Sequence, residues 1–289
     1  MQHIEFFHKI HFEQNYHRVK PVPLLENFID FFWETKFDEL LEAAPNGFSD
    51  ALFPNIGYTY LINLGTPFTM QVAEKKFDMK TDGFLPRNTS IECYHRPGNQ
   101  LFGIKFKISP IIFKTKVNFA EYREYIYPLS YLMEQSVIDK VKKAASFQER
   151  VDILNGYFSS IVQAYSGSWE AINIVSGIIR HCDEKNDFTT TVETFAKQYG
   201  ISERTLHRYF ETATSLSTKK ALQILRIRKA VQQLANDPVH FSYEQYGYYD
   251  HSHFSKHLKQ FLQKETIASL QPHLKLLQNL KKRQQPSTG

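Results

Sequence analysis

Cysteine is scarce in this chain of 289 residues: Cys93 and Cys182 are its only two, far apart and in no CxxC pair. A disulfide framework is excluded, and a reduced, cytoplasmic setting is expected. No apolar run approaches the roughly 20 residues that cross a bilayer, so no membrane partner is expected. The opening MQHIEFFHKIHFEQ carries charge and histidine through its first turns, so no signal peptide is expected. G-x-G-x-x-G, G-x-x-x-x-G-K-[ST] and G-x-S-x-G are all missing, which removes support for nucleotide binding and α/β-hydrolase chemistry. A His-x-His and Glu set of the kind that holds a metal in β-barrels is missing too. His95 stands alone in its strand region, so neither metal nor cofactor is expected. Cys93 and His95 would share a strand face, but nothing orients the imidazole as a base, so no catalytic residue and no enzyme is expected.

Aromatic residues, in contrast, are plentiful, with 24 Phe and 16 Tyr, enough for packed cores. The length suits two domains of ordinary size. The net charge of +5 is unevenly spread. Residues 187–289 hold 15 of the 35 basic and 8 of the 30 acidic residues, a net of +7, which leaves −2 for the remainder. A polyanionic partner is thus expected for the last third alone.

Along the chain, residues 24–34 (LLENFIDFFWE) place Leu24, Leu25, Phe28, Ile29, Phe32 and Trp33 on one face of a short helix that starts after Pro21 and Pro23. From about residue 53 to 113 the texture becomes short apolar runs, at 58–64, 69–72, 83–85, 90–94 and 101–108. Gly65-Thr66-Pro67, Pro86-Arg87-Asn88 and Arg96-Pro97-Gly98-Asn99 cut them, which predicts an antiparallel sheet or barrel. In the last run Phe102, Ile104, Phe106 and Ile108 alternate with Gly103, Lys105 and Lys107, the pattern of a half-buried strand. Helical spacing resumes over 133–141 and 148–165, where Val151, Leu154, Phe158, Ile161, Val162 and Tyr165 share a face. Those stripes suit packing on the β-rich region or on a second copy, so a homodimer through 133–165 is expected. Ser166-Gly167-Ser168 serves as a linker before a helix over 169–182 and a polar break at 183–187. The fold class is therefore α+β: an N-terminal antiparallel, barrel-like β-rich domain with flanking helices over 1–166, then an all-α domain over 167–280. The polar tail 281–289 is expected to be disordered.

The last third contains two helix-turn-helix patterns joined by one long basic helix. In the first, over 192–210, Thr191 caps a helix with Val192, Phe195 and Ala196 inward, and Gly200 allows the tight turn. Ile201 plugs the core, Ser202 caps the second helix, and Leu206, Tyr209 and Phe210 face in. Arg204, His207 and Arg208 are left outward near a helix N-terminus, where side chains reach base edges in a major groove. The spacer over 219–234 carries Leu222, Leu225, Val231 and Leu234 beside Lys219, Lys220, Arg226, Arg228 and Lys229, charges that suit phosphates. The second pattern turns at Gly247-Tyr248. Asp250 caps a helix with Phe254, Leu258 and Phe261 inward, and His251, Ser252, Ser255 and Lys256 toward the groove. Ser202, Thr205, Arg226 and Lys259 are the expected phosphate contacts. His253, next to Phe254, reads as a packing residue.

The doubled pattern resembles the DNA-binding domain of the AraC/XylS family of bacterial regulators. Its positions here are Ala196, Gly200, Ile201, Ser202, Arg204, Leu206, Arg208 and Phe210; Leu222, Arg226, Ala230 and Leu234; and Gly247, Tyr248, Asp250, Ser252, His253, Phe254, Lys256, Lys259 and Phe261. One such unit is a weak signal; two in order over about 80 residues are a strong one. The chain departs from the family where Ser242 and Tyr243 replace an Ile-Ala pair, where Ser215 replaces a glycine, and where Lys264-Glu265-Thr266-Ile267 replaces Gly-x-x-Pro. The resemblance implies a transcription regulator acting as an activator, with double-stranded DNA and RNA polymerase as partners.

It also implies an N-terminal domain that binds a small-molecule effector or mediates dimerisation. That region looks closer to AraC-associated domains with F-W near the start and G-x-K-F near the end, here Phe32-Trp33 and Gly103-Ile104-Lys105-Phe106. Tyr58, Tyr60, Phe84, Tyr94 and Phe102 are the aromatic residues that could line an apolar effector pocket, against the plainer reading that they fill a core. A ligand-sensing or protein-interaction module with a degenerate DNA-binding half is the alternative reading.

Overall fold

The computed structural model describes residues 2–44, 46–72, 74–108 and 125–261, with the backbone alone at Phe261. The tail 281–289, residues 264–267 and the side chain of Phe261 lie outside the described residues. The chain is α+β, with a β-rich N-terminal half and a helical C-terminal half. No described helix is long and apolar enough to cross a membrane.

The first half opens with β1 (Gln2–Ile4), α1 (Lys9–Gln14), β2 (His17–Val19), β3 (Ile29–Lys36) and α2 (Asp38–Ala43). Next come β4 (Ser49–Leu52), β5 (Tyr58–Asn63), β6 (Phe68–Val72), β7 (Lys75–Met79) and β8 (Gly83–Pro86). β9 (Ile91–Tyr94), β10 (Gln100–Phe106) and β11 (Tyr127–Pro128) complete the strands. They form a five-stranded sheet ordered β1-β4-β9-β6-β7 and a six-stranded sheet ordered β11-β8-β5-β10-β3-β2. β1 runs parallel to β4; the other described pairings are antiparallel.

The helix predicted over 24–34 is a strand. Only Pro23–Leu25 forms a 3-10 turn, and β3 then pairs with both β2 and β10. Phe28 and Phe32 are four residues apart, a spacing that fits one helical turn or two strand periods equally. β-branched Ile29 and aromatic Phe31, Phe32 and Trp33 favour the pleated surface once two partner strands are present. The register also joins the two halves of the N-terminal signature: Phe32 pairs with Ile104 and Trp33 with Gly103. The Trp33 indole covers Gly103 so closely that a Cβ there would fall 2.0 Å from a ring carbon.

The central strands β5, β8 and β10 of the six-stranded sheet are buried on both faces, so β10 is not half-buried as predicted. Leu61, Leu85 and Leu101 meet Phe37, Phe68, Met70 and Ile91 in a core between the sheets. Tyr58, Tyr60, Phe84, Phe102, Ile104 and Phe106 share a second core with the helices. Among these are α3 (Gln135–Lys143) and α4 (Phe147–Ala164). Leu154, Phe158 and Val162 of α4 are buried, and the Phe158 ring meets Phe106 and Tyr60 at centroid distances of 5.6 and 6.4 Å. The stripes that suggested a dimer interface are therefore covered within the chain, where they are worth about 1.5–3 kcal/mol per buried side chain.

The second half comprises α5 (Glu170–Lys185), α6 (Val192–Gln198), α7 (Glu203–Thr214), α8 (Thr218–Asn236) and α9 (His251–Phe261). α8 packs against α5, α7 and α9, and its buried side chains continue the core that reaches the six-stranded sheet.

Candidate functional site

Two sites emerge: a cavity in the first half and a pair of exposed helix faces in the second. The cavity, about 310 Å³, lies between the sheets. Its apolar wall includes Leu61, Phe68, Met70, Leu85 and Leu101, and its polar wall Glu5, Arg87, Lys105 and Arg228. None of the five predicted aromatic residues lines it. Tyr58, Tyr60, Phe84 and Phe102 point to the helical side of their sheet, and Tyr94 lies on the outer face of β9, near Lys76 and Gln71. Each is one residue out of phase: Thr59, Leu61, Leu85, Cys93 and Leu101 face the cavity instead. Strand side chains alternate faces, so the apolar run marked the strands but not which face had a void behind it.

The polar wall holds a buried charge cluster. Arg228 Nη2 lies 2.5 Å from Glu5 Oε1, and Arg87 Nη2 lies 3.7 Å from Glu5 Oε2. Burial alone would raise the Glu5 carboxyl, but the two guanidiniums hold it at about 2. Lys105 Nζ is 3.9 Å from Asp30, and burial, with Arg228 and Arg87 nearby, lowers its ammonium to about 7. These cations went unread as a site because Lys105 looked like the solvent side of an alternating strand. Cys93 also lines the cavity; burial pushes its thiol up, which argues against a nucleophile.

His95 does not stand alone. Asp50 on β4, fully buried, lies between His3 of β1, His11 of α1, and His95 just after β9, and Tyr16 donates its hydroxyl to the same carboxylate. Three of these residues come from the first sixteen, and only the tertiary fold brings them to β4.

In the second half, Thr191 Oγ1 accepts from Thr194 N to cap α6, and Ser202 Oγ accepts from Thr205 N at 3.1 Å to cap α7. Gly200 between them has φ +65°, a left-handed conformation that glycine adopts without cost. Phe195, Ala196, Leu206 and Phe210 are buried, and Tyr209 is half-buried with its hydroxyl on Glu170. Arg204 and Arg208 are exposed and His207 half-exposed, at the first two turns of α7.

The second unit differs. A 3-10 turn, Glu244–Tyr246, precedes Gly247 (φ +67°), and Asp250 Oδ1 accepts from His253 N at the start of α9. Tyr243, which replaces a small residue, packs edge-on against Phe241 at 5.0 Å and His251 at 5.7 Å and at a tilt against Phe254 at 5.4 Å. Ser252, Lys256 and Lys259 are exposed; His251 and Ser255 are half-buried, with Ser255 Oγ 3.3 Å from the His251 ring. His253, read as a packing residue, is exposed, with its ring against the edge of Tyr248 and its Nδ1 accepting from Tyr249 N. The packing histidine is His257, 5% exposed, with Nδ1 2.6 Å from Tyr248 Oη.

A family model described as a helix-turn-helix domain matches residues 195–265, which span both units. The C-terminal region is a helix-turn-helix domain of the AraC type. No curated protein matches the sequence. Among solved structures, apo ToxT from Vibrio cholerae is 13% identical, covers 74% of this chain and 89% of its own, and gives a TM-score of 0.40. ToxT bound to an unsaturated fatty acid is 12% identical, covers 72% and 84%, and gives 0.39. The AraC-like transcriptional activator CuxR is 11% identical, covers 70% and 74%, and gives 0.29.

The AraC-type domain is joined to the first half through its spacer, α8. Arg228, grouped with phosphate-binding charges in the sequence, grips Glu5 and lies over the Phe6 ring, and Lys229 pairs with Asp183. Arg226, an expected phosphate contact, is half-buried over the Tyr248 ring at 4.5 Å. Ser202 and Thr205 are bound to each other at the α7 cap. Arg228, Gln232 and Asn236 of α8 also line the cavity. Ser215, a departure from the family glycine, keeps the left-handed conformation at φ +63° and pairs its Oγ with the Tyr58 hydroxyl at 2.5 Å. The side chain that stands where glycine is usual thus bonds to the β-rich half.

Proposed function

We propose that this chain is a sequence-specific DNA-binding transcription regulator whose DNA affinity responds to a small effector held in the cavity. The observation that carries the first part is α7: capped by Ser202, backed by the buried Leu206 and Phe210, and presenting Arg204 and Arg208 to solvent at its N-terminal end. Arginines so placed can donate paired hydrogen bonds to guanine in the major groove. His207 joins them. On α9, Ser252 and Lys256, with His251 and Ser255 beside them, are the second reading set, and Lys259 contacts phosphate. Arg226 acts through Tyr248 rather than directly on phosphate. The decisive experiment is selection of bound sequences from a random duplex pool, followed by salt titration on the winner. One recurrent half-site pattern is expected, with affinity falling steeply as salt rises. Enrichment of no sequence overturns this reading.

The effector reading rests on α8, which lines the cavity and packs on both recognition helices. A cavity near 310 Å³ sits at the low end of small-molecule sites. Its wall of Arg87, Lys105 and Arg228 around an apolar interior suits a small ligand with an anionic head and an apolar body. The shortened second unit favours a second reading, in which the chain senses a ligand and its DNA-binding half is degenerate. Effector-dependent stabilisation without selectable DNA would support it.

A further inference from the structure

Three histidines and Tyr16 converge on the one buried carboxylate of Asp50. Among the described residues, the ion-pair partners of Asp50 are all histidines. His11 Nε2 lies 2.8 Å from Asp50 Oδ1, His3 Nδ1 lies 3.8 Å from the same oxygen, and His95 Nε2 lies 3.5 Å from Oδ2. The ligand atoms of His3, His11 and Asp50 all fall within 4.8 Å of one another. Around a tetrahedral zinc with bonds of about 2.0–2.1 Å, ligand atoms sit about 3.3 Å apart. Small side-chain rotations would close all three on one ion.

Two further observations point to a cation. His3 Nδ1, His11 Nε2, His95 Nε2 and Asp50 Oδ1 are sealed from solvent, and the partners they have are one another: the imidazoles of His3, His11 and His95 all bear on the one Asp50 carboxylate. The His3 and His11 nitrogens and a carboxylate oxygen, facing one point away from solvent, form a donor set that one cation would satisfy together. The outer contacts also orient the ring: Asn99 Nδ2 donates to Thr66 O, which leaves Asn99 Oδ1 to accept from His95 Nδ1 at 2.8 Å. The lone pair of a neutral His95 is then on Nε2, facing a carboxylate oxygen, an arrangement that a cation on that carboxylate would relieve.

We infer that His3, His11 and Asp50 bind one divalent transition-metal ion of the zinc class, with His95 outside the ligand set and facing the other oxygen of the Asp50 carboxylate. Imidazoles with one carboxylate suit zinc and its neighbours, whereas magnesium and calcium take oxygen ligands. The ion ties β1 and α1 to β4. His3 is two residues before Glu5, so the same ion steadies the segment that grips Arg228 of α8.

The test uses the full chain stripped with a chelator, with zinc chloride as the probe. Calorimetric titration is expected to show one equivalent bound, and the unfolding temperature is expected to rise with zinc. A His3→Ala/His11→Ala double variant is expected to lose both effects, while His240→Ala, at an exposed histidine, keeps both. Should the double variant not fold, X-ray absorption of zinc on the unaltered chain decides: imidazole and carboxylate ligands support the inference, and an all-oxygen shell overturns it. No bound zinc, or the same stoichiometry in a folded double variant, also overturns it and leaves the histidines as polar partners of Asp50.

Discussion

In the first helix-turn-helix unit a full helix, α6, crosses behind the recognition helix; in the second, one 3-10 turn stands where that helix would be. Both turns use a glycine at nearly the same left-handed φ, +65° at Gly200 and +67° at Gly247. Both recognition helices begin with a side-chain cap, Ser202 or Asp250. The difference lies behind the helices. Ala196 lets α6 approach α7 closely, whereas Tyr243 fills that space with a ring and hands the packing to Phe241, Tyr246 and Tyr248. Turn and cap are local chemistry and persist in both units; the supporting element is a matter of packing and can be exchanged for aromatic bulk.

The largest effects should come from removing the central ring of each unit. Phe210→Ala and Phe254→Ala, both at buried rings, should each cost about 3–5 kcal/mol. Hydrogen exchange should show Phe210→Ala loosening α6, α7 and α8 together, with Phe254→Ala confined to α9. Protection lost equally everywhere would mean that the units are not separable. Next in size is base reading: Arg208→Ala should weaken binding to the selected site by about 1–3 kcal/mol and relax sequence preference. An unchanged preference would move the reading face elsewhere.

A third comparison uses pH. Burial, with Arg226 nearby, lowers the His257 imidazole to about 4, below its ordinary value of 6.5. The unfolded chain therefore takes up this proton first, and stability falls as pH drops from about 6.5 toward 4. α9 should lose exchange protection across that window before α7 does, because the first unit buries no histidine among its described residues. A His257→Leu variant should flatten the difference. The smallest effect is expected at Lys256: Lys256→Ala should lower the salt slope of binding by about 1 and leave sequence preference intact.

How legible each feature was depends on how locally its cause acts. Thr191, Gly200, Ser202 and Asp250 fix caps and turns within three or four residues, and each stands in the structure as the sequence reading placed it. The runs at 58–64, 69–72, 83–85, 90–94 and 101–108 all became strands, since turn residues bounded them. Residues 24–34 were misread because a four-residue spacing satisfies both periods and the deciding partners, β2 and β10, were not visible in it. The cavity-facing residues were missed by one position each, since both faces of the sheet are buried and an apolar run looks the same from either side.

What the sequence by itself determined is the AraC-type domain: its turns, caps and exposed arginines follow from short-range backbone and helix chemistry. The tertiary structure alone decided which charges are available. Arg228 looked like a phosphate ligand and instead holds Glu5; His95 looked solitary and instead faces Asp50 beside His3 and His11. The physical reason is the same in both cases. A charge in a low-dielectric interior must be matched by whatever group the fold places beside it, and that neighbour can lie anywhere in the chain.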